Sequence, residues 1–225
     1  MKIIIAPSKT MQFKDILNTN VYPDETYMRI HNKLKKLSKV NLGIAYNIKG
    51  KLLDETYKNV HEFDQLPENA ALKTYTGLVF FGMDVDSYSE EEWEYAEQNL
   101  RILSAFYGEL TPRTMIKQYR LDYKTKIDME LYKYRTYSFD EVVINLASNE
   151  FSKAVTTPMI TIGFRDFEDG KYKNKATYAK QARGVLLNYL IKNQINSVEG
   201  IKEFSLMGYS FNQALSNEES IIFTR

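Results

Sequence analysis

Apolar positions along this chain alternate between two spacings. Residues 2–6 (KIIIA) read as a buried strand, with a short unbroken apolar run from Ile3 to Ala6. Tyr27, Ile30, Leu34 and Leu37 then recur at helical spacing, which predicts an amphipathic helix over 24–38 with Asp24 near its start. Residues 41–46 add a short helical turn. Asn47 is placed to cap a helix over 48–63 that carries Leu52, Tyr57 and Val60, and Gly43 falls in the turn before it. Residues 68–74 read as helix. Residues 78–81, bounded by Gly77 and Gly82, read as strand. Ser89-Glu90-Glu91-Glu92 is a capping box, in which a serine and a glutamate three residues on satisfy each other's backbone N–H groups. It opens a helix with Trp93, Ala96, Leu100 and Leu103 on one face, ended by Gly108.

Residues 142–146 form a second apolar run, broken by Asn145. It leads through Ser148 and Asn149, both good N-cap residues, into a helical turn with Glu150, Phe151 and Lys153. Free backbone N–H groups gather at such a start. Residues 159–167 read as strand, and Asp169-Gly170 as a hairpin turn towards 171–174. Residues 176–193 predict a helix with Ala179, Ala182, Leu186 and Tyr189 facing inward. Residues 204–211 and 221–224 read as a closing pair of strands. With no repeat, low-complexity tract or linker, the expectation is one α+β domain over 1–225, a mixed central sheet surrounded by helices.

Composition narrows the chemistry. The 225 residues suffice for a sizeable core, and 17 Tyr with 12 Phe predict an aromatic-rich one. The absence of cysteine removes disulfides, Fe–S clusters, thiolate zinc sites and thiol peroxidase chemistry. It fits a cytoplasmic protein. The N-terminal apolar stretch is too short for a secretory signal, and no run nears the about 18 apolar residues of a membrane span. No membrane partner is expected. His31 and His61 are the only histidines, and Met28 and Lys58 stand three residues before them. The Glu-x-x-His pairs of di-iron bundles are therefore absent, as is a Gly-x-Ser-x-Gly elbow. Both histidines are expected on the surface or on helix faces. No metal site, cofactor or catalytic constellation is expected; Lys9, Glu150 and Lys153 could move protons, but nothing in the sequence fixes their geometry.

Charge is segregated although the formal net charge is only +1. Residues 26–53 carry seven basic side chains (among them Lys49 and Lys51) and no acid. Residues 171–183 carry five and no acid, and residues 113–126 carry five against Asp122 alone. Residues 84–97 hold seven acids and no base. Such separation can create a basic face that attracts nucleic-acid phosphates. Tyr46, Tyr119, Tyr123, Tyr172 and Tyr178 lie among the basic clusters and could stack on unpaired bases. The alternative is that lysines solvate helix faces and tyrosines fill the core.

Individual positions sharpen this. Lys9 follows a buried strand and Pro7, and the hydroxyls of Ser8 and Thr10 flank it, a setting suited to a phosphate. It is not a P-loop, since the glycines are missing. Lys180 and Arg183 share one helix face, as a phosphate clamp or as partners in structural ion pairs. Arg120, between Tyr119 and Leu121, is either a ligand contact or a buried, paired guanidinium. Asn145, Ser148 and Glu150 could orient a neighbouring cation.

The same segments carry a family resemblance. Residues 145–153 (NLASNEFSK) closely resemble the NLAS-x-E-[YF]-x-K signature of the YaaA family of bacterial peroxide-stress proteins, also called UPF0246 or DUF328. In matching order, Pro7-Ser8-Lys9-Thr10 resembles P-[AS]-K-T, and residues 99–108 (NLRILSAFYG) resemble L-R-x-L-S-G-L-Y-G, with Ala105 for the glycine. Tyr119-Arg120-Leu121 resembles part of P-Y-R-L-E, with Gln118 and Asp122 at its ends. Residues 178–184 (YAKQARG) resemble Y-A-K-x-A-R-G. The chain departs at Thr111-Pro112-Arg113-Thr114, and it is shorter than longer members between Leu131-Tyr132 and Val142.

The resemblance implies a YaaA-like fold, with an element like a helix–hairpin–helix in the N-terminal third. It also implies a cytoplasmic protein that binds duplex or distorted DNA through a basic cleft, largely without regard to sequence. That protein lowers unincorporated iron during peroxide stress. Lys9, Lys49, Lys51, Arg120, Lys153, Lys180 and Arg183 are then the expected nucleic-acid contacts, supported by Ser8, Thr10, Asn145, Ser148 and Glu150. A monomer is expected. Two alternatives stay open: an enzyme acting on a nucleotide or nucleic acid at the same residues, and a direct iron binder.

Overall fold

The computed structural model describes residues 1–127 and 135–225. Strand β1 (Lys2–Ile5) sits at its centre, and Ile3, Ile4 and Ile5 have no exposed surface. An unbroken apolar run is what a strand buried on both faces requires. Burying each such side chain contributes roughly 1.5–3 kcal/mol. β1 pairs in parallel with β3 (Leu100–Ser104) on one side and β6 (Val143–Asn145) on the other. β6 continues in parallel to β7 (Met159–Glu168), and β7 to β10 (Ser220–Thr224). Three antiparallel strands complete the sheet: β4 (Gly108–Leu110) on β3, β8 (Lys171–Lys173) on β7, and β9 (Ser210–Phe211) on β10. The eight-stranded order is β4-β3-β1-β6-β7-β10-β9 with β8 beside β7. β2 (Glu68–Ala70) and β5 (Met115–Lys117) form a separate antiparallel pair.

Nine α-helices surround the sheets among the described residues. In chain order they are α1 (Tyr27–Lys35), α2 (Lys39–Tyr46), α3 (Lys51–His61), α4 (Ala71–Thr74), α5 (Leu78–Phe81), α6 (Glu90–Asn99), α7 (Asn149–Ser152), α8 (Ala176–Lys192) and α9 (Val198–Lys202). The mixed sheet with surrounding helices is the expected fold. The capping box at Ser89 forms as read: Ser89 N–H donates to Glu92 Oε2 at 2.8 Å, and Glu92 N–H to Ser89 Oγ at 3.3 Å.

Several local expectations are corrected. Residues 78–81 are helix, not strand: four apolar residues between glycines carry no readable period, and here they dock on α8. The helix opened at Ser89 ends at Asn99, not Gly108, because Leu100, Ile102 and Leu103 are wholly buried as the strand beside β1. Residues 68–70 are strand, with only 71–74 helical. Asn47 does not cap the following helix. It takes a left-handed conformation (φ 51°) that ends α2, and α3 starts after Gly50. Gly43 therefore lies inside α2, and the α2–α3 hairpin turns through Asn47, Ile48, Lys49 and Gly50. Of residues 204–211 only Ser210–Phe211 is strand. His31 lies on a helix face, as expected, but on the buried face of α1: it is 3% exposed, with Nε2 2.8 Å from the Val60 carbonyl. The shortened stretch at Leu131 and Tyr132 lies outside the described residues.

Candidate nucleic-acid interface

β1, β3 and β6 run in parallel, so their carboxyl ends share one edge of the sheet. β1 lies where the chain stops adding strands on one side and begins on the other, and ligands of open α/β sheets bind outside strand ends at such a point. The segment Pro7-Ser8-Lys9-Thr10 leaves β1 at this edge. Ser8 Oγ accepts from the Thr10 N–H at 3.1 Å and lies 3.0 Å from Thr10 Oγ1, which fixes the turn around Lys9. Asn145 ends β6: its side chain donates to Thr161 Oγ1 at 3.2 Å and accepts from the Ala147 N–H at 2.9 Å. It shapes the Leu146–Ser148 segment and is itself buried.

A third wall comes from α8. Gly184 faces α5 so closely that a Cβ there would lie 1.9 Å from the Val79 carbonyl oxygen. A Cβ on Gly82 would lie 2.8 Å from the Val185 nitrogen, and one on Gly77 2.6 Å from Ser8 Oγ. Three glycines thus let α5, α8 and the Ser8 turn close on one another. Between them opens a cavity of about 280 Å³ lined by Ser8, Lys9, Ser148, Lys180 and Arg183 among others. Residues more than 170 positions apart in sequence, such as Lys9 and Arg183, meet there.

The cations of this cleft differ in their partners. Lys9 pairs with Asp122. Burial alone would raise the Asp122 pKa, but the hydrogen bond and charge of Lys9, with Thr125 and the Lys124 amide, hold it below the usual carboxylate range. Arg183 has no ion pair among the described residues, and its Nε is buried without a hydrogen-bond partner. Burial pushes its pKa down from the ordinary guanidinium value. Lys180 is exposed and likewise unpaired among the described residues. Arg120 is half-buried, makes no ion pair among them, and shares with Lys9 three further cavities beside the first. One of these, about 610 Å³, is also lined by Lys124, Lys126 and the end of α2.

Not every expected residue joins. Lys153 is exposed at the C-terminal end of α7 and does not line the cavities that contain Lys9. Lys49 and Lys51 lie exposed on and just after the α2–α3 turn. Lys51 is 3.8 Å from Glu55, and the preceding residues Tyr46 and Asn47 border the Lys9 cavities. Glu150 pairs with Lys124 at 3.5 Å and lines the cavity with Lys9 and Arg120. Ser148 occupies the N-cap position of α7 but makes no side-chain capping bond, and α7 is only 4 residues long. Tyr119 is not a free stacking platform: it is 7% exposed, stacked on Phe106, and bonded at 2.8 Å to both Tyr75 Oη and Ser104 Oγ. Burial pushes its pKa up to about 12.

The sequence reading missed Asp122 as the partner of Lys9; its signal was being the one acid within residues 113–126. It also missed the glycines that close the cleft, for which Gly82 and Gly184 at the ends of apolar segments were the available sign. Among the described residues no group of three or more His, Asp or Glu could hold a metal ion. No helix among them is long and apolar enough to cross a membrane.

The architecture is a mixed-sheet protein with a basic crevice at the carboxyl ends of its parallel strands. The chain belongs to the peroxide stress protein YaaA family, whose model matches residues 1–215. It is 39% identical over 246 aligned positions to UPF0246 protein FN1762 of Fusobacterium nucleatum subsp. nucleatum, covering 100% of this chain and 99% of that protein. It is 34% identical to a UPF0246 protein of Clostridium beijerinckii, over 100% of this chain and 98% of the relative. A UPF0246 protein of Flavobacterium johnsoniae is 32% identical, with both chains fully covered. The alignments exceed the chain's 225 residues, so these relatives carry residues without a counterpart here.

Proposed function

We propose that this protein binds DNA through backbone phosphates held in the cleft at the ends of β1 and β6. The observation that carries the reading is the meeting of Lys9, Lys180 and Arg183 in one concave site, with a buried Arg183 nitrogen left without a partner among the described residues. A half-buried cation without a counter-charge is costly, and a phosphate oxygen relieves that cost. Arg120 extends the row of cations, and Lys49 and Lys51 on the α2–α3 hairpin offer a second contact. Recognition is by backbone position and DNA shape, with no sequence read directly. In the cell we assign the role the family resemblance implies: a cytoplasmic monomer that limits unincorporated iron and oxidative damage to DNA during peroxide stress.

The test is binding of a bent or junction DNA across salt concentrations. If four cations each displace a counterion, log K against log salt falls with a slope of about −3 to −4. Affinity that stays flat from low to physiological salt would sink the reading. One observation favours a second reading, an enzyme acting on a nucleotide or nucleic acid: the cleft lies at strand ends, where open sheets hold small phosphorylated ligands. Product formation abolished in Lys9→Ala, with folding intact, would support it.

A further inference from the structure

Beside the basic cleft, and sharing Lys9 with it, lies a cavity of about 260 Å³ between α1, α3 and the segment after β5. The phosphate reading makes no use of it beyond Lys9 and Arg120. Its walls include Phe63, Phe106 and Tyr119. These rings are held rigidly: Phe106 stacks on Tyr119 with centroids 5.2 Å apart and planes 18° from parallel, and Phe63 meets Phe106 edge-on at 5.7 Å. The bonds from Tyr75 and Ser104 lock Tyr119 in place.

The polar part of the lining includes the exposed Glu55 carboxylate and, among its half-buried side chains, three that matter here: Asn59, Gln118 and Arg120. None of these three makes a side-chain hydrogen bond or ion pair with the described residues. Two free amides each present a donor beside an acceptor, the pattern that pairs with the edge of a nucleobase. Phe106 and Tyr119 already stack on each other and offer no free face, but the rigid apolar wall they build with Phe63 suits the flat shape of a heteroaromatic ring whatever its identity. The two cations at the rim suit the phosphate attached to such a ring.

We propose that this cavity receives one unstacked nucleobase whose phosphate is held by Lys9 and Arg120. The idea rests on the phosphate reading for Lys9 and adds a separate pocket to it. It explains in one geometry why a basic cleft opens onto a rigid aromatic cavity whose two amides bond to no described residue. Paired DNA cannot enter so narrow a space, so a base arrives either extruded from a duplex or on a free nucleotide.

The test places 2-aminopurine opposite a mismatch in a duplex and follows its emission as protein is added. A parallel arm titrates 2-aminopurine nucleoside monophosphate against inorganic phosphate. Both use the wild type, Asn59→Trp to fill the cavity, and the Asn59→Ala/Gln118→Ala pair to remove the amides, with thermal unfolding to confirm folding. The expected result is a several-fold emission change for the wild type. Asn59→Trp abolishes it, and the amide pair weakens base-dependent affinity by about tenfold. Affinity for fully paired duplex stays within about twofold in both variants, because their cleft cations are intact. A response confined to the duplex assigns an extruded base, and one confined to the monophosphate assigns a free nucleotide. Salt-dependent duplex binding without any 2-aminopurine response overturns the pocket and leaves the phosphate reading standing. A monophosphate response with salt-independent duplex binding removes the DNA reading and keeps the pocket.

Discussion

Arg183 and Arg225 stand in opposite conditions on the same molecule. Arg225 is fully engaged. Its Nε donates to Asp166 Oδ1 at 2.6 Å, its Nη1 donates to the Met207 carbonyl at 3.1 Å, and its guanidinium lies 4.5 Å from the Tyr209 ring and 4.8 Å from that of Tyr178. Tyr209 Oη donates to the other Asp166 oxygen at 2.9 Å. The bond to Asp166 raises the Arg225 pKa. Arg183 lines the cleft with a buried nitrogen and no carboxylate to meet it among the described residues, and burial lowers its pKa. The first arginine is a structural clamp that joins β7 to the chain after β10. The second is an unmet charge, and an unmet charge in a concave place marks where an anion from outside belongs.

The sharpest way to break this contrast is to remove the cleft itself. Gly184→Ala drives a Cβ into the Val79 carbonyl, and neither helix backbone can yield cheaply. We expect a loss of about 3 kcal/mol in urea unfolding, with DNA binding lost as α5 and α8 separate. Asp166→Ala strikes the other arginine. It leaves Arg225 and Tyr209 without their acceptor and costs about 2 kcal/mol of stability with DNA affinity unchanged. Burial would raise the Asp166 pKa, but Arg225 and Tyr209 hold it below the ordinary range. A carboxylate with a depressed folded pKa stabilises above its unfolded pKa of about 4 and loses that contribution as pH falls through the folded value. The gap between wild type and Asp166→Ala therefore narrows in acid unfolding series below about pH 4.

Smaller effects sharpen the comparison within the cleft. Lys180→Ala leaves unfolding within about 0.5 kcal/mol and makes the salt slope of DNA binding shallower by about one. Asp122→Asn removes the carboxylate that competes for Lys9 and strengthens DNA binding by about threefold at low salt, as fluorescence anisotropy would read.

The elements that fold from local pattern were readable in the chain. The Ile3–Ile5 run, the capping box at Ser89 and the long α8 each signal their state within their own residues. Residues 78–81 and 100–104 were not, because their state is decided elsewhere: the first is helix because Gly184 admits it against α8, and the second is strand because β1 needs a neighbour. The site followed the same division. Lys9, Lys180 and Arg183 stood out by type and spacing, and Ser8 with Asn145 by their place at strand ends. That Lys9 meets Asp122, that Lys153 does not line the cavities containing Lys9, and that Tyr119 is bound into a buried hydroxyl chain are facts of tertiary packing, which no local spacing encodes.

Arg183→Met, measured for both stability and DNA binding, addresses the central claim most directly. The account predicts unfolding free energy unchanged or raised by up to about 1 kcal/mol, since a desolvated charge without a partner is replaced by apolar volume. DNA affinity falls about tenfold, and the salt slope becomes shallower by about one. A clear loss of stability with DNA affinity unchanged would contradict it, and would make Arg183 a structural residue like Arg225.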